Sequence, residues 1–141
     1  MHILGMLKDN GRLPAVAIAR QVNLSVPAVL ERVKKLTQSA VIERFTVKLN
    51  RRQMGLALLA FVMVRLSASA HIETFRQRAV QYSCVMECHH IAGEYDYLLK
   101  VAAPDTAALE RFLTDEIKQG EGVDGTTTLI VLTTLKEELN A

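Results

Sequence analysis

The sequence predicts an α+β protein in two parts, an N-terminal winged helix-turn-helix followed by a ferredoxin-like βαββαβ domain. Three observations predict it. Charge is divided unevenly: residues 1–54 carry ten Lys and Arg against three Asp and Glu, and residues 55–141 carry seven against twelve. The basic part shows apolar residues at helical spacing. The acidic part alternates strand-like and helix-like segments in an order that repeats once.

Composition sets the outer bounds. With 141 residues, 50% of them hydrophobic and 23% charged, the chain can build one ordinary domain or two small ones and is too apolar for disorder. The mean hydropathy is slightly positive, which in so short a chain points to apolar surface covered by self-association. The longest apolar run, Leu56 to Val64, is strand-sized and too short to span a bilayer. The chain enters a helical pattern at once, so no signal peptide is expected. Cys84 and Cys88 do not make a disulfide framework. A cytoplasmic protein with no membrane segment is expected. The basic front suits phosphate, an attraction that does not depend on base sequence; the charge split alone leaves nucleic-acid binding and mere solvation evenly matched.

The first helix is expected from Ile3, Leu4 and Leu7, ending at Asn10-Gly11. Ala15, Ile18, Ala19 and Val22 recur at i, i+3, i+4 and i+7 and form the face of a second, with Pro14 in its first turn, where a missing N–H costs nothing. Asn23 tolerates the left-handed conformation that ends a helix, and Ser25 is a good N-cap for the next. Val26, Val29, Val33 and Leu36 make the inner stripe of the third helix, with Pro27 in its first turn. Two helices joined by a three-residue turn are a helix-turn-helix, and the second is the recognition helix. Ser25, Val26, Pro27 and Ala28 lie at its N-terminal end, where small residues allow close approach to base edges. Glu31, Arg32, Lys34 and Lys35 follow on its outer face, where cations suit phosphates. Val41 to Leu49 alternates as a strand, a wing or a linker, and the polar, basic run Asn50 to Gly55 is taken as the linker between domains 1–49 and 56–141.

In the second half the expected order is a strand over Leu56–Leu66, a helix over His71–Tyr82 with Ile72, Phe75, Ala79 and Tyr82 inward, and a strand over Val85–Ala92. A strand over Tyr95–Ala103 follows, then a helix over Asp105–Lys118 with Leu109, Phe112, Leu113 and Ile117 inward, and a strand over Thr126–Leu135. This is the split βαβ arrangement, and Gly93-Glu94 turns its central hairpin. Helices on one side of an open sheet leave the other side bare, which a second copy can cover.

These residues carry a resemblance. Ile3-Leu4, Asn10-Gly11-Arg12, Ile18-Ala19, Val22-Asn23-Leu24-Ser25, Arg32-Val33-Lys34-Lys35-Leu36 and Val41-Ile42 resemble the winged helix-turn-helix of the Lrp/AsnC (feast/famine) regulators. Val85-Met86-Glu87-Cys88-His89, Gly93-Glu94-Tyr95-Asp96-Tyr97-Leu98-Leu99-Lys100-Val101 and Val123 with Thr126 to Leu132 resemble the central hairpin and last strand of that family's ligand-sensing domain, of the dimeric α/β-barrel type. The resemblance spans almost the whole chain in order. It implies a transcriptional regulator that binds double-stranded DNA, dimerises sheet to sheet and assembles further, often to octamers. It also implies an amino acid or related small molecule as effector, with no other cofactor. Carried onto this sequence, the effector-site candidates are Gly93, Glu94, Tyr95 and Asp96, with Thr126 and Thr128: a glycine turn and threonine hydroxyls suit a carboxylate, and an acidic side chain suits an ammonium. Structural roles are equally open: Gly93 for the turn, Asp96 capping it, Tyr95 and Tyr97 packing between subunits, and the threonines as ordinary strand residues.

Three departures from the family pattern stand out. Only Met1 and His2 precede Ile3, which leaves a truncated chain or an upstream start open. Glu31 replaces a residue that is commonly basic, and Asn23 a common glycine.

Two rival classes remain. An enzyme is not expected, because no paired carboxylates, phosphate loop or Ser/His/Asp set stands in a supporting context; the fold alone does not decide. A metal sensor would use Cys84, Cys88, His89 and His90, but on a strand Cys84, Cys88 and His90 share one face and His89 the other, so they do not converge on one ion. No metal is expected.

Overall fold

A computed structural model describes residues 2–138; Met1 and residues 139–141, which the expected domains include, lie outside them. The chain divides into two compact units, one formed by the residues up to Lys48 together with Glu138 and the other spanning Leu49–Glu137.

The first unit is built on local signals. Helices α1 (His2–Asp9), α2 (Ala15–Val22) and α3 (Val26–Gln38) pack around Ile3, Ile18, Ala19 and Val29, with Met6, Leu7, Leu13, Val22, Val26 and Val33 partly buried against them. Pro14 is the N-cap of α2, one position ahead of its first turn. Asn23 ends α2 in the left-handed conformation (φ 56°), and Ala19 O accepts from both Asn23 N and Leu24 N. Ser25 Oγ then accepts from Ala28 N at 3.3 Å and caps α3. Ala40, just past the cap Ser39, also takes a positive φ of 56°.

One expectation is corrected beyond α3. Residues 43–50 form no regular element and pair with no strand among the described residues. Their alternation is present, but a strand needs a neighbour to hydrogen-bond, and the single chain offers none. Phe45, Val47 and Leu49 remain more than half exposed. The linker at 50–55 is a built turn: Asn50 Oδ1 accepts from Arg52 N and Gln53 N, Met54 N donates to Asn50 O, and Gly55 closes it at φ 79°.

The second unit is a four-stranded antiparallel sheet in the order β2-β3-β1-β4, formed by β1 (Leu58–Leu66), β2 (Val85–His90), β3 (Tyr97–Ala103) and β4 (Val123–Ile130). Helix α4 (Ile72–Ala79) crosses over between β1 and β2, and α5 (Thr106–Arg111) between β3 and β4. Residues of one parity face the helices. Ala60, Val62 and Val64 of β1 and Tyr97, Leu99 and Val101 of β3 make a core with Phe75, Ala79, Leu109 and Ile117. Tyr82 meets Phe112 edge-on at 5.3 Å and closes one end. The expected helix over Asp105–Lys118 is α only to Arg111. Residues Phe112–Lys118 continue it as wider π turns, in which residues five apart fall together, and Phe112 and Ile117 are both buried. The last strand is also shifted: β4 begins at Val123 and ends at Ile130, because β1 offers pairing partners only from Leu66 to about Ala60, with Val131 N adding one bond to Leu59 O. The strands flanking the hairpin stop at His90 and start at Tyr97, leaving Ile91–Asp96 as its loop.

Candidate DNA-binding helix and effector site

The eight expected DNA-binding positions fall into two groups. Ser25 is occupied as the cap of α3, Val26 packs inward against the first unit's core, and Ala28 is half-buried. Pro27, Glu31, Arg32, Lys34 and Lys35 are exposed. Glu31 is tied to Lys35, one turn on, at 2.8 Å; that hydrogen bond and the lysine's charge hold its carboxyl below the usual carboxylate range. The sequence reading missed Leu30. It stands 55% exposed on α3, between the inner stripe and the cations, and periodicity gives the clue, since it lies one residue beyond inward Val29. Arg32 and Lys35 also border a cleft of about 710 Å³ with Ile3, Val22 and Leu36.

The hairpin loop is fastened at two points. Asp96 lies opposite the end of β1: its N donates to Val64 O (2.9 Å) and its Oδ2 accepts from Leu66 N (2.7 Å). Within the loop Ile91 N donates to Asp96 O, and Gly93 takes a φ of 146° that side chains rarely adopt. Tyr95 reaches across the sheet, and its Oη lies 2.6 Å from Thr127 Oγ1. Glu94 is exposed, 3.8 Å from Arg65, whose Nε donates to Asp124 Oδ2 at 3.0 Å.

The structure therefore brings Gly93, Glu94, Tyr95 and Asp96 together with β4, but through Thr127 rather than Thr126 or Thr128. Those two pair with Val64 and Val62, which face the helices, whereas Thr127 pairs with Met63 on the open side. Parity within β4 was readable from the sequence; which parity meets the loop was not. Arg65 and Asp124 were missed for the same reason, since they meet only through strand pairing.

The open side of the sheet also holds a charged group. Lys100 lies between Glu87 (3.0 Å) and Glu137 (2.7 Å), and His89 Nε2 lies 3.1 Å from Glu87. Hydrogen bonds from His89 and Lys100 depress the Glu87 carboxyl, and those to Glu137 and Glu87 raise the Lys100 ammonium. Cys88 and His90 point to the helix side with Leu99 and Tyr97, and His89 to the open side with Leu98. Burial raises both thiols, Cys84 and Cys88, above their ordinary values.

Comparison with known proteins gives two family matches. Residues 1–43 match the winged helix-turn-helix DNA-binding family, and residues 59–141 the Lrp/AsnC ligand binding domain. The chain is 35% identical over 136 residues to the HTH-type transcriptional regulator FL11 of Pyrococcus abyssi, spanning 96% of this chain and 89% of that one. It is 34% identical over 139 residues to the leucine-responsive regulatory protein of Rhizobium meliloti, spanning 97% and 89%. A transcriptional regulator of Neisseria meningitidis solved in complex with L-methionine superposes with a TM-score of 0.93 at 29% identity, over 98% of this chain and 90% of that one. The feast or famine regulatory protein of M. tuberculosis, complexed with L-methionine, superposes with a TM-score of 0.90 at 28% identity, over 98% and 92%.

Proposed function

The chain belongs to the Lrp/AsnC family of transcriptional regulators, and on that premise we propose that it is a sequence-specific DNA-binding regulator whose assembly or DNA affinity responds to an amino acid. The observation that carries this reading is α3: capped by Ser25, braced inward by Val26, Val29 and Val33, and presenting Pro27, Leu30, Arg32 and Lys34 outward within the basic part of the chain. In this reading residues 1–49 bind double-stranded DNA, 50–55 join the domains, and 56–141 sense the effector and assemble. Pro27, Ala28 and Leu30 approach base edges, while Arg32, Lys34 and Lys35 contact phosphates.

The loop Gly93–Asp96 is the effector element. It is held on the sheet by Asp96 and Tyr95, and its family relatives from N. meningitidis and M. tuberculosis were solved with L-methionine. Thr127 replaces Thr126 and Thr128 as the β4 residue of this site, because it is the one the loop touches. Self-association to a dimer and on to an octamer is supported by the apolar residues on the open face, Phe61, Met63, Leu98 and Leu129, and by exposed Phe45, Val47 and Leu49. No helix among the described residues is long and apolar enough to cross a membrane. A role on DNA places the protein in the cytoplasm, and its activity is regulation rather than catalysis.

The test is a selection of bound fragments from genomic DNA, followed by gel shift at several salt concentrations, with a thermal-shift screen of the proteinogenic amino acids and light scattering on any that bind. A preferred operator and an amino acid that changes its affinity or the assembly size are expected. Binding without sequence preference, or no DNA binding, would refute the reading.

A further inference from the structure

We propose that Arg76, His90 and Tyr97 form a carboxylate-binding site at the root of the hairpin, and that the effector's carboxylate is its ligand; this rests on reading the hairpin as the effector element. Arg76 lies on α4, while His90 ends β2 and Tyr97 opens β3. His90 and Tyr97 are cross-strand partners, the last pair before the loop Ile91–Asp96.

Three side chains on separate elements are fitted to one another. Tyr97 is 1% exposed, and its ring leans on Phe75 at 4.8 Å, so it is fixed in the core. The His90 ring stacks on it at 5.1 Å and 26°. Arg76 Nε donates to Tyr97 Oη at 2.8 Å, and its Nη2 lies 3.4 Å from His90 Nδ1. An arginine nitrogen only donates, so Nδ1 is the acceptor in this contact.

The charge of this arginine is left over. Its partners are a phenol and an imidazole, and no carboxylate lies within ion-pair range of it among the described residues. Glu73, one turn earlier on α4, is turned to Gln77 at 3.0 Å. Arg78, two residues on, lies against Gly120 and does not share the site. On the other side of the hairpin Arg65 is the contrast, since Asp124 and Glu94 already neutralise it. Arg76 therefore keeps a permanent charge, a fixed orientation and the donors of its outer edge, the arrangement that takes a planar carboxylate through paired hydrogen bonds. Orientation fixed before binding lowers the entropy that binding must overcome. The ligand class is an α-amino acid with a free carboxylate.

The full chain is titrated with L-methionine and with L-methioninamide, which lacks the carboxylate, by calorimetry, while the His90 ring signals are followed by NMR. L-Methionine is expected to move the His90 signals, and the amide to bind about tenfold or more weakly, as loss of a charge-assisted hydrogen bond implies. Arg76→Gln is expected to weaken L-methionine binding by a similar factor. Arg76→Lys keeps the charge and a donor for Tyr97, guards against a folding defect, and is expected to weaken it too, because it lacks the planar fork. Wild-type affinity in both variants, or His90 signals unmoved at saturation, overturns the proposal. A smaller assembly by light scattering with unchanged L-methionine affinity in Arg76→Gln also overturns it, assigning the carboxylate to a neighbouring copy. If no amino acid binds the wild type, the effector reading fails. Sodium propionate then decides the site alone: His90 signals that move in the wild type and not in Arg76→Gln support it, and signals that stay fixed overturn it.

Discussion

Tyr95 Oη and Thr127 Oγ1 lie 2.6 Å apart, joining the hairpin loop to the last strand across β1. This is a polar tie between the loop and a strand that follows it by a whole helix. Either oxygen can donate, so removing one hydroxyl strands the other. Tyr95→Phe and Thr127→Val are each expected to cost about 1 kcal/mol, and in the double variant the two losses are expected not to add. Urea denaturation of the four proteins measures the coupling, and an additive result would show that the tie contributes nothing.

Asp96 holds the loop to β1 through Leu66 N at 2.7 Å. It is half-buried, and its removal leaves a backbone donor without its partner. Asp96→Ala is expected to destabilise the second unit by about 1–3 kcal/mol. Asp96→Asn, which keeps an acceptor, is expected to cost less. The two are compared by chemical denaturation before any loss of effector response is interpreted, because an unfolded loop and a missing ligand interaction give the same binding defect.

Glu31 engages Lys35 at 2.8 Å on the outer face of α3. A lysine paired with a carboxylate is a poorer phosphate ligand than a free one. Glu31→Gln is expected to tighten DNA binding and to steepen its salt dependence. Lys34→Ala is expected to weaken binding on every sequence and to lower the salt slope by about 0.9 for each phosphate no longer neutralised. Fluorescence anisotropy across a salt series reads both; equal slopes in all three proteins would remove these side chains from the DNA interface.

His89 with Lys100 at Glu87, and Glu137 with Glu87 at Lys100, make stability depend on pH in two directions. The folded Glu87 carboxyl is depressed, so its contribution is present above the ordinary carboxylate range and is lost as pH falls through the depressed value. The folded Lys100 ammonium is raised, so its contribution is present below the ordinary lysine value and is lost as pH rises through the raised one. Glu87 is 44% exposed at its side chain, which limits the pair to about 1 kcal/mol or less. Glu87→Gln is expected to be less stable than the wild type near neutrality and equal to it in acid. Thermal denaturation at a series of pH values checks this, and a difference that persists in strong acid would assign the effect to packing.

Ala40 sits at φ 56° just beyond α3, where a Cβ meets the backbone. Ala40→Gly is expected to raise stability by about 0.5–1 kcal/mol, because relief of the left-handed strain exceeds the added freedom of the unfolded chain. A lowered melting temperature would show that the strain is absorbed elsewhere.

The sequence by itself determined what depends on neighbours along the chain. The ends of α2 and α3 were readable because Asn23 and Ser25 bond within a few residues. The inward faces of the helices were readable because Phe75 and Ala79, or Leu109 and Phe112, repeat at the helical period. Only the tertiary structure decided what meets across elements. The alternation from Val41 to Leu49 predicted a strand, yet a strand exists only with a partner. Thr126, Thr127 and Thr128 are alike in sequence, and the register of β4 on β1 sends Thr127 alone to Tyr95. Asp96 reads as a turn residue but bonds thirty positions away, to Leu66 N. Arg76, His90 and Tyr97 share no motif that joins the three, and they meet because α4 packs on the hairpin. Caps and periodicities are short-range properties of the chain, whereas register and side-chain convergence are fixed by packing the helices on the sheet.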